Sequence, residues 1–388
     1  MLQNIYSLRS FRFLFSVLLS VCLLVLATGC TEEASLEATY TELGIPLEQY
    51  YPTGGIERCA WDVEVYNNAL YVASGDYDVN KGPVSVWCYN IKNGIWENSA
   101  ELPDEQIERF HIFDNKLYAP GCDPKESWDL GNYYICDKGE WTVMRNLPGG
   151  IHNFDLIKYD GKLFAGLGVS DGDSPIVMST DEKEWTPVYL YKGDGLRRFY
   201  NADFIRVYDF FVLNDRLYAY FFLSSDSQWV SEIYHYDGER FVYHSDMLAE
   251  LYDTRHTYAH ISQKVEFRGK QYFTNGSLFV SENMVTAEEV LLEDTVEVLD
   301  IRVIGSSLYA LCNESIINEN GDEEFIISLR RSKTGEEFTE MFYFNYPVRA
   351  LSFTYRNGIF YFGMGYGSEA EKPYDKNGMI LSVKHPVE

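Results

Sequence analysis

Basic residues are scarce in this sequence. Its 388 residues include 32 Lys and Arg against 59 Asp and Glu, which gives a formal net charge of −27. A surface of this sign repels phosphate backbones, so nucleic acid is excluded as an expected partner. The acidity indicates a chain that stays soluble outside the cell.

The sequence also lacks the short motifs of common active sites. No Gly-x-Ser-x-Gly elbow, His-Glu-x-x-His helix or phosphate-binding loop occurs. There is no C-x-x-C pair and no Cys/His spacing typical of zinc, so neither a metal nor another cofactor is predicted. Any carboxylate pair chosen among 59 acidic residues for sugar hydrolysis would be arbitrary. An active site assembled from distant parts of the chain would escape this search, so an enzyme stays open as an alternative.

Long hydrophobic runs are missing except at the start. Arg9 and Arg12 precede an apolar stretch from Phe13 to Ala27, and small residues follow it. This order of a basic region, a short apolar run and small residues is typical of an export signal. No later run has the length of a membrane span, so the rest of the chain is expected to be an aqueous domain.

The end of the signal carries a recognisable motif. Ala27-Thr28-Gly29-Cys30 resembles the lipobox of bacterial lipoproteins, with Ala27 where Leu is commoner. The resemblance implies that residues 1–29 are removed, that the Cys30 thiol is lipidated, and that residues 30–37 tether the domain. Acyl chains contribute about 0.8 kcal/mol per buried methylene, so several of them hold a soluble domain at a bilayer. The expected location is the cell envelope, at the outer membrane or cell surface.

Cysteines are few and odd in number once the signal is removed. The chain has seven, and five remain beyond Cys30: Cys59, Cys88, Cys122, Cys136 and Cys312. At least one of them is therefore unpaired or bonded elsewhere. Most are expected to be small buried residues of strands, with room for one or two disulfides.

One phrase, a turn followed by a short aromatic strand, recurs along the chain. Its anchors lie 37 to 54 residues apart, at Leu70, Leu117, Leu163, Leu217, Gln271, Leu308 and Phe360. Eight residues before four of the seven anchors stands an Asp, and residues that tolerate positive φ separate the two strands. Each phrase is thus predicted to be an antiparallel hairpin.

A second phrase follows most anchors and ends in an aromatic residue, as at Trp96, Trp141, Trp185, Phe241 and Phe338. This second phrase reads as two further strands joined by a turn. Together with the hairpin it gives four strands per unit, and the units repeat at the period expected of propeller blades. We therefore expect an all-β fold, with residues 38–388 forming a seven-bladed β-propeller of four-stranded antiparallel blades. The last unit lacks its fourth strand, and Ala38–Leu43 is predicted to supply it. STDEKEWT and SKTGEEFT loosely resemble the Asp-box turns of sialidase-like propellers, and the architecture resembles kelch-like propellers too; in those families such turns are structural.

Two groups of residues are candidates for ligand binding. Titratable residues near the starts of the innermost strands are expected at the channel mouth: Arg58, His152, Arg206, His260, Glu297 and Arg349. Aromatic residues in the long connections, which are expected on the same face of the propeller as this channel mouth, offer flat surfaces for sugar rings: Tyr77, Trp128, Trp229 and Tyr366.

These observations favour a monomeric, membrane-anchored recognition or scaffold module without catalysis. Its expected partner is a glycan or an envelope protein, and the alternative is a polysaccharide-acting enzyme of sialidase-like or lyase type that uses the channel mouth.

Overall fold

The computed structural model describes residues 36–76, 82–127, 129–169, 174–188, 204–225, 228–252, 263–290, 292, 296–366 and 375–385. The export signal, Cys30 and most of the tether lie outside these ranges, as do Tyr77, Trp128 and His260. Glu37–Glu388 forms one compact unit. No helix in the described part of the chain is long and apolar enough to cross a membrane.

Strands dominate the fold. The described part of the chain opens with β1 (Leu36–Glu37), β2 (Tyr40–Gly44) and one turn of 3-10 helix at Ile56–Arg58. The next strands are β3 (Asp62–Tyr66), β4 (Ala69–Ala73), β5 (Val84–Asn90), β6 (Ile95–Leu102), β7 (Asp104–Gln106), β8 (His111–Phe113), β9 (Lys116–Pro120), β10 (Cys122–Pro124), β11 (Leu130–Asp137) and β12 (Glu140–Pro148). Then come β13 (His152–Tyr159), β14 (Lys162–Val169), β15 (Ile176–Ser179), β16 (Thr186–Pro187), β17 (Phe204–Leu213), β18 (Arg216–Ser225), β19 (Gln228–Tyr236), β20 (Phe241–Ser245) and a short helix α1 (Met247–Tyr252). The chain ends with β21 (Lys264–Phe267), β22 (Lys270–Asn275), β23 (Ser277–Ser281), β24 (Glu288–Glu289), β25 (Glu297–Ile304), β26 (Ser307–Ile317), β27 (Glu323–Ser332), β28 (Thr339–Tyr346), β29 (Arg349–Arg356), β30 (Ile359–Gly365) and β31 (Ile380–Lys384).

The predicted hairpins are confirmed. The turn residues between the first two strands of the units take positive φ, for example 47° at Asn67 and 63° at Asn68. Asp114 and Asn115 repeat this at 49° and 58°. Such turns match the twist of the strands they join, which is why Asn, Asp and Gly recur there.

The strands assemble into small antiparallel sheets in a propeller-like arrangement. Five sheets are separate, in the orders β3-β4-β5-β6, β12-β11-β9-β8, β21-β22-β23-β24, β1-β28-β27-β26-β25 and β2-β31-β30-β29. The third and fourth predicted units instead share one ten-stranded sheet with β7 and β10. The predicted count of seven separate blades is therefore wrong, since five blades stand as separate sheets.

Glycines explain the merging of these two units. β14 and β17 pair through Gly168 with Arg206 and through Val169 with Ile205. A Cβ on Gly166 would lie 2.7 Å from the carbonyl oxygen of Val207. The missing side chain thus lets the two strands approach closely enough to join their sheets.

The outer strand of the last sheet comes from the beginning of the domain, as predicted. β2 pairs antiparallel with β31, with Tyr40 opposite Val383 and Glu42 opposite Leu381. This pairing covers an edge that would otherwise be exposed.

The Asp-box-like turns are structural in this protein. Ser179 Oγ accepts a 2.8 Å hydrogen bond from the Glu182 N–H. The carboxylate of Asp181 accepts bonds of 3.0 Å from the backbone N–H groups of Lys183 and Glu184. Glu182, which stands where Gly is usual, takes a φ of 63°. These side chains satisfy the backbone of a tight turn.

The cysteines act as packing residues within the described part of the chain, where no two of them are joined by a disulfide. Cys59, Cys136 and Cys312 are buried, and Cys88 and Cys122 are partly buried.

Candidate functional site

Two charged networks lie along the inner strands. In the first, Lys264 Nζ lies 2.6 Å from carboxylate oxygens of both Asp155 and Asp209. Arg109 Nη1 also lies 2.7 Å from Asp209, and His111 Nε2 lies 2.9 Å from Asp155. Burial alone would raise the pKa of Asp155, but the charges of Lys264, His111 and Arg109 hold that pKa well below its usual range. Two of these contacts, Lys264 with Asp155 and Arg109 with Asp209, connect units that are not adjacent in sequence.

The second network is centred on Arg302 of β25. Its guanidinium contacts Asp62 at 2.7 Å and Asp300 at 3.3 Å, and it also bonds Glu64. Burial lowers the pKa of Arg302, but the three carboxylates outweigh it and the pKa is raised. Opposite charges are paired in both networks, so we assign them to holding the inner strands together.

The candidate site lies at the end of the inner strands where the third and fourth units merge. Cys122 of β10 pairs with His152 of β13, and His152 pairs with Gly168 of β14. Gly168 in turn pairs with Arg206 of β17. Paired residues of neighbouring strands share a face, so one row crosses four strands. We call Cys122, Asp123, His152, Phe154, Arg206 and Tyr208 the mouth site.

Aromatic rings position the charged groups of the mouth site. The His152 ring stacks on Phe154 at 5.5 Å, and a Cβ on Gly168 would lie 2.9 Å from that imidazole. The Arg206 guanidinium lies over the rings of Phe154 and Tyr208, at 5.4 and 5.9 Å from their centroids. Arg206 Nη1 donates a 2.9 Å hydrogen bond to Tyr208 Oη. The two rings and the hydroxyl group thus fix the position of the Arg206 guanidinium without neutralising its positive charge.

A carboxylate and a thiol complete the mouth site. His152 Nδ1 lies 2.8 Å from Asp123 Oδ1 and 3.7 Å from Cys122 Sγ. Burial raises the pKa of the Cys122 thiol well above its usual value, and the nearby carboxylates of Asp123, Asp104 and Glu108 add to this. The thiol is therefore a poor nucleophile at neutral pH.

The predicted residues Glu297 and Arg349 come together elsewhere. Arg349 Nε lies 3.5 Å from Glu297 Oε2, and its guanidinium lies over Phe325 and Tyr366 at 5.4 Å from each centroid. Tyr366 Oη donates a 2.6 Å hydrogen bond to Glu323. The predicted aromatic of this loop is thus engaged in packing and hydrogen bonding.

Arg58 has a structural position. Only 1% of it is exposed, and it donates to the carbonyl oxygens of Asn377 at 2.7 Å, Asp375 at 2.6 Å and Tyr51 at 3.3 Å. Burial lowers its pKa. Its guanidinium anchors the segment before β31 rather than facing a ligand.

Of the remaining predicted residues, the structure places Trp229 in strand β19 rather than in a loop. Tyr77, Trp128 and His260 lie outside the described residues. The sequence made His152 and Arg206 candidates through their position before each anchor, and they remain a prediction. Cys122 and Asp123, which lie on β10 outside the repeated phrase, were not among the candidates.

Comparison with known proteins bears on the fold. No known protein-family profile matches the chain, and no curated relative matches it either. Solved structures do. A catalytically inactive virginiamycin B lyase from Staphylococcus aureus with quinupristin aligns over 90% of this chain and 100% of its own, with 9% identity and a TM-score of 0.51. A chain of the mitotic checkpoint complex aligns over 92% and 97%, with 9% identity and a TM-score of 0.50.

The chain folds as a β-propeller. Its structural neighbours include an ulvan lyase from a new polysaccharide lyase family, at 13% identity and a TM-score of 0.46 over 89% of this chain and 94% of that one. At such identities the likeness concerns architecture, because unrelated functions share the propeller fold.

Proposed function

We propose that this protein is an exported, lipid-anchored lipoprotein whose propeller recognises a glycan at the mouth site without catalysis. One observation carries the proposal: the Arg206 guanidinium is held over Phe154 and Tyr208 beside His152, at the ends of the inner strands. Guanidinium and imidazole groups donate to hydroxyl and carboxylate oxygens of sugars, and aromatic rings pack against their apolar faces.

The position of Arg206 supports this choice. Arg206 lies near the start of β17, whereas Arg216 lies at the opposite end of the same hairpin and is exposed. Substituting Met for either Arg removes one positive charge, at the mouth site for Arg206 and at the opposite end of the hairpin for Arg216. The two substitutions therefore form a matched pair.

The test measures retention on immobilised polysaccharides and the release of sugar fragments by residues 37–388. Neutral and uronic-acid polysaccharides are compared. We expect retention without release, weakened at least about tenfold by Arg206→Met, the loss expected for a charge-assisted contact of more than 1.4 kcal/mol. Arg216→Met is expected to leave retention unchanged. Equal effects of both substitutions, or no retention of the wild type, would contradict the proposal.

An enzyme is the second candidate, since the Asp123 carboxylate orients the His152 imidazole at 2.8 Å beside Arg206 and Tyr208. An oriented imidazole can abstract a proton next to a carboxylate that a guanidinium neutralises, which is the chemistry of a lyase. Release of unsaturated fragments, abolished by His152→Gln, would favour this candidate.

The proposed anchor has its own test. Cys30→Ala removes the only thiol that the lipobox can present, so the protein is expected to lose incorporation of labelled fatty acid. Unchanged incorporation would contradict lipidation at Cys30.

A further inference from the structure

Three side chains with different donor atoms converge at the mouth site. Cys122 Sγ, an Asp123 carboxylate oxygen and a His152 ring nitrogen all lie within 4.8 Å of one another. The thiol and the imidazole come from strands paired directly at Cys122 and His152. The ligands are thus brought together by the sheet and not by their spacing in sequence, which is why the sequence indicated no metal.

We propose that Cys122, Asp123 and His152 bind a zinc-class divalent cation with one coordination position left open. Thiolate, imidazole and carboxylate are the groups that zinc takes in proteins, and three protein ligands with an open position are typical of its non-structural sites. Calcium and magnesium, which take oxygen ligands, do not fit a thiolate.

The distances agree with a tetrahedral site. Zinc–sulfur and zinc–nitrogen bonds of about 2.3 and 2.0 Å place the two donor atoms about 3.5 Å apart at a tetrahedral angle. Sγ of Cys122 and Nδ1 of His152 are 3.7 Å apart. Asp123 Oδ1 lies 2.8 Å from His152 Nδ1 and would move away from it by a few tenths of an ångström to make room for the ion.

The backbone at Asp123 is shaped for this arrangement. Successive residues of a strand point to opposite faces, so Cys122 and Asp123 would normally diverge. Asp123 instead takes a φ of 58°, in the left-handed region, and its N–H donates to the Ile151 carbonyl oxygen at 3.3 Å. This unusual conformation accompanies the meeting of both side chains with His152, and such conformations concentrate at functional sites.

The imidazole is held in place before any ion arrives. Its ring stacks on Phe154 with an interplanar angle of 21° and fills the space that Gly168 leaves. Side chains supported in this way lose little freedom on binding a metal. The inference concerns the ion alone and holds whether or not a glycan binds.

The test uses the whole protein after treatment with a chelator. Zinc(II) is titrated by calorimetry, and cobalt(II) replaces it for absorption spectroscopy. We expect one equivalent to bind and cobalt(II) to give a thiolate charge-transfer band in the near ultraviolet. Cys122→Ser should abolish that band, and Asp123→Asn and His152→Gln should each weaken zinc binding by at least about 10- to 100-fold, the loss that even removal of a partner behind a ligand causes.

Cys88→Ser is the matched control, since Cys88 is also a partly buried thiol but lies on β5. It should leave both readouts unchanged. The proposal is overturned if the wild type binds no stoichiometric metal, or if the charge-transfer band survives Cys122→Ser. If Cys122→Ser does not fold, the other two variants decide, because the side chains of Asp123 and His152 are 16% and 24% exposed and tolerate exchange. If zinc binds Asp123→Asn and His152→Gln as tightly as the wild type, the proposed metal site is also refuted.

Discussion

Asp155 Oδ2 accepts a 2.8 Å hydrogen bond from the backbone N–H of Phe210, which lies on the neighbouring inner strand β17. The same bond recurs in two other places. Asp62 accepts from the Phe110 N–H at 2.8 Å, and Asp300 accepts from the Phe353 N–H at 2.9 Å. These carboxylates therefore connect the first unit to the second, the third to the fourth and the sixth to the seventh, which gives a physical reason for three of the four Asp residues that recur before the anchors.

Removing one of these carboxylates should loosen the ring. Asp155→Ala leaves the Phe210 N–H without this acceptor and takes a buried carboxylate from Lys264. We expect it to lower the free energy of unfolding by about 3–5 kcal/mol, the usual loss when one partner of a buried pair is removed. Asp155→Asn keeps an acceptor and should cost less. Urea denaturation measures both, and a loss below about 1 kcal/mol in the alanine variant would contradict the connecting role.

The low pKa of Asp155 makes stability depend on acid. Its folded pKa lies below its unfolded value, so its contribution is present above the ordinary Asp pKa of about 4 and is lost as pH falls below that value. Asp155→Asn should therefore flatten the fall in unfolding free energy below about pH 4. Parallel pH series of the wild type and the variant measure this, and identical slopes would show that other carboxylates govern acid unfolding.

Asp104 should act in the opposite direction. Burial raises its pKa to about 7, although Tyr134 and Asn132 donate hydrogen bonds to it. Between about pH 4 and 7 the folded state then holds a proton that the unfolded state has released, so stability falls as pH rises through this window. Asp104→Asn removes the titration and should abolish that slope. A slope unchanged in the variant would mean that Asp104 is already ionised in the folded protein at pH 5.

Arg58 is expected to matter for stability and not for ligand binding. Arg58→Met leaves three carbonyl oxygens without their donor and should lower the unfolding free energy by about 3 kcal/mol or more, since bonds to charged groups are worth roughly 1.5–3 kcal/mol each. Arg356→Met, at an exposed Arg, should change it by less than about 0.5 kcal/mol. Loss of polysaccharide retention with unchanged stability in Arg58→Met would instead restore the ligand-binding role predicted from the sequence.

Local chemistry made much of the fold predictable. Asn67-Asn68 and its counterparts mark hairpins because few residue types accept their backbone angles, and Ala38–Leu43 was recognisable as the missing outer strand because the last unit stops one strand short. The merging of two units was not predictable, since it depends on how closely Gly166 approaches β17 in space.

The candidate site was predictable only in part. His152 and Arg206 share a fixed place in the repeat, so their position at the strand starts followed from the alignment. Cys122 and Asp123 belong to β10, a short strand outside the repeat, and their meeting with His152 depends on tertiary pairing. Arg58 was predicted to bind a ligand because of its place in the repeat. That place did not reveal that its guanidinium donates to backbone carbonyl oxygens.

The pairing of β2 with β31 also determines how the domain bears mechanical load. Force applied to the chain ahead of Leu36 reaches the two-residue pairing of β1 with β28 first and the longer β2–β31 ladder directly after it. Glu42 reinforces the point, as it accepts hydrogen bonds of 2.9 Å from Tyr346 Oη and 2.8 Å from Lys376 Nζ. A propeller held from its N-terminus would thus yield first at these two pairings, and the β2–β31 ladder, which closes the last blade, sets the tension at which the ring opens.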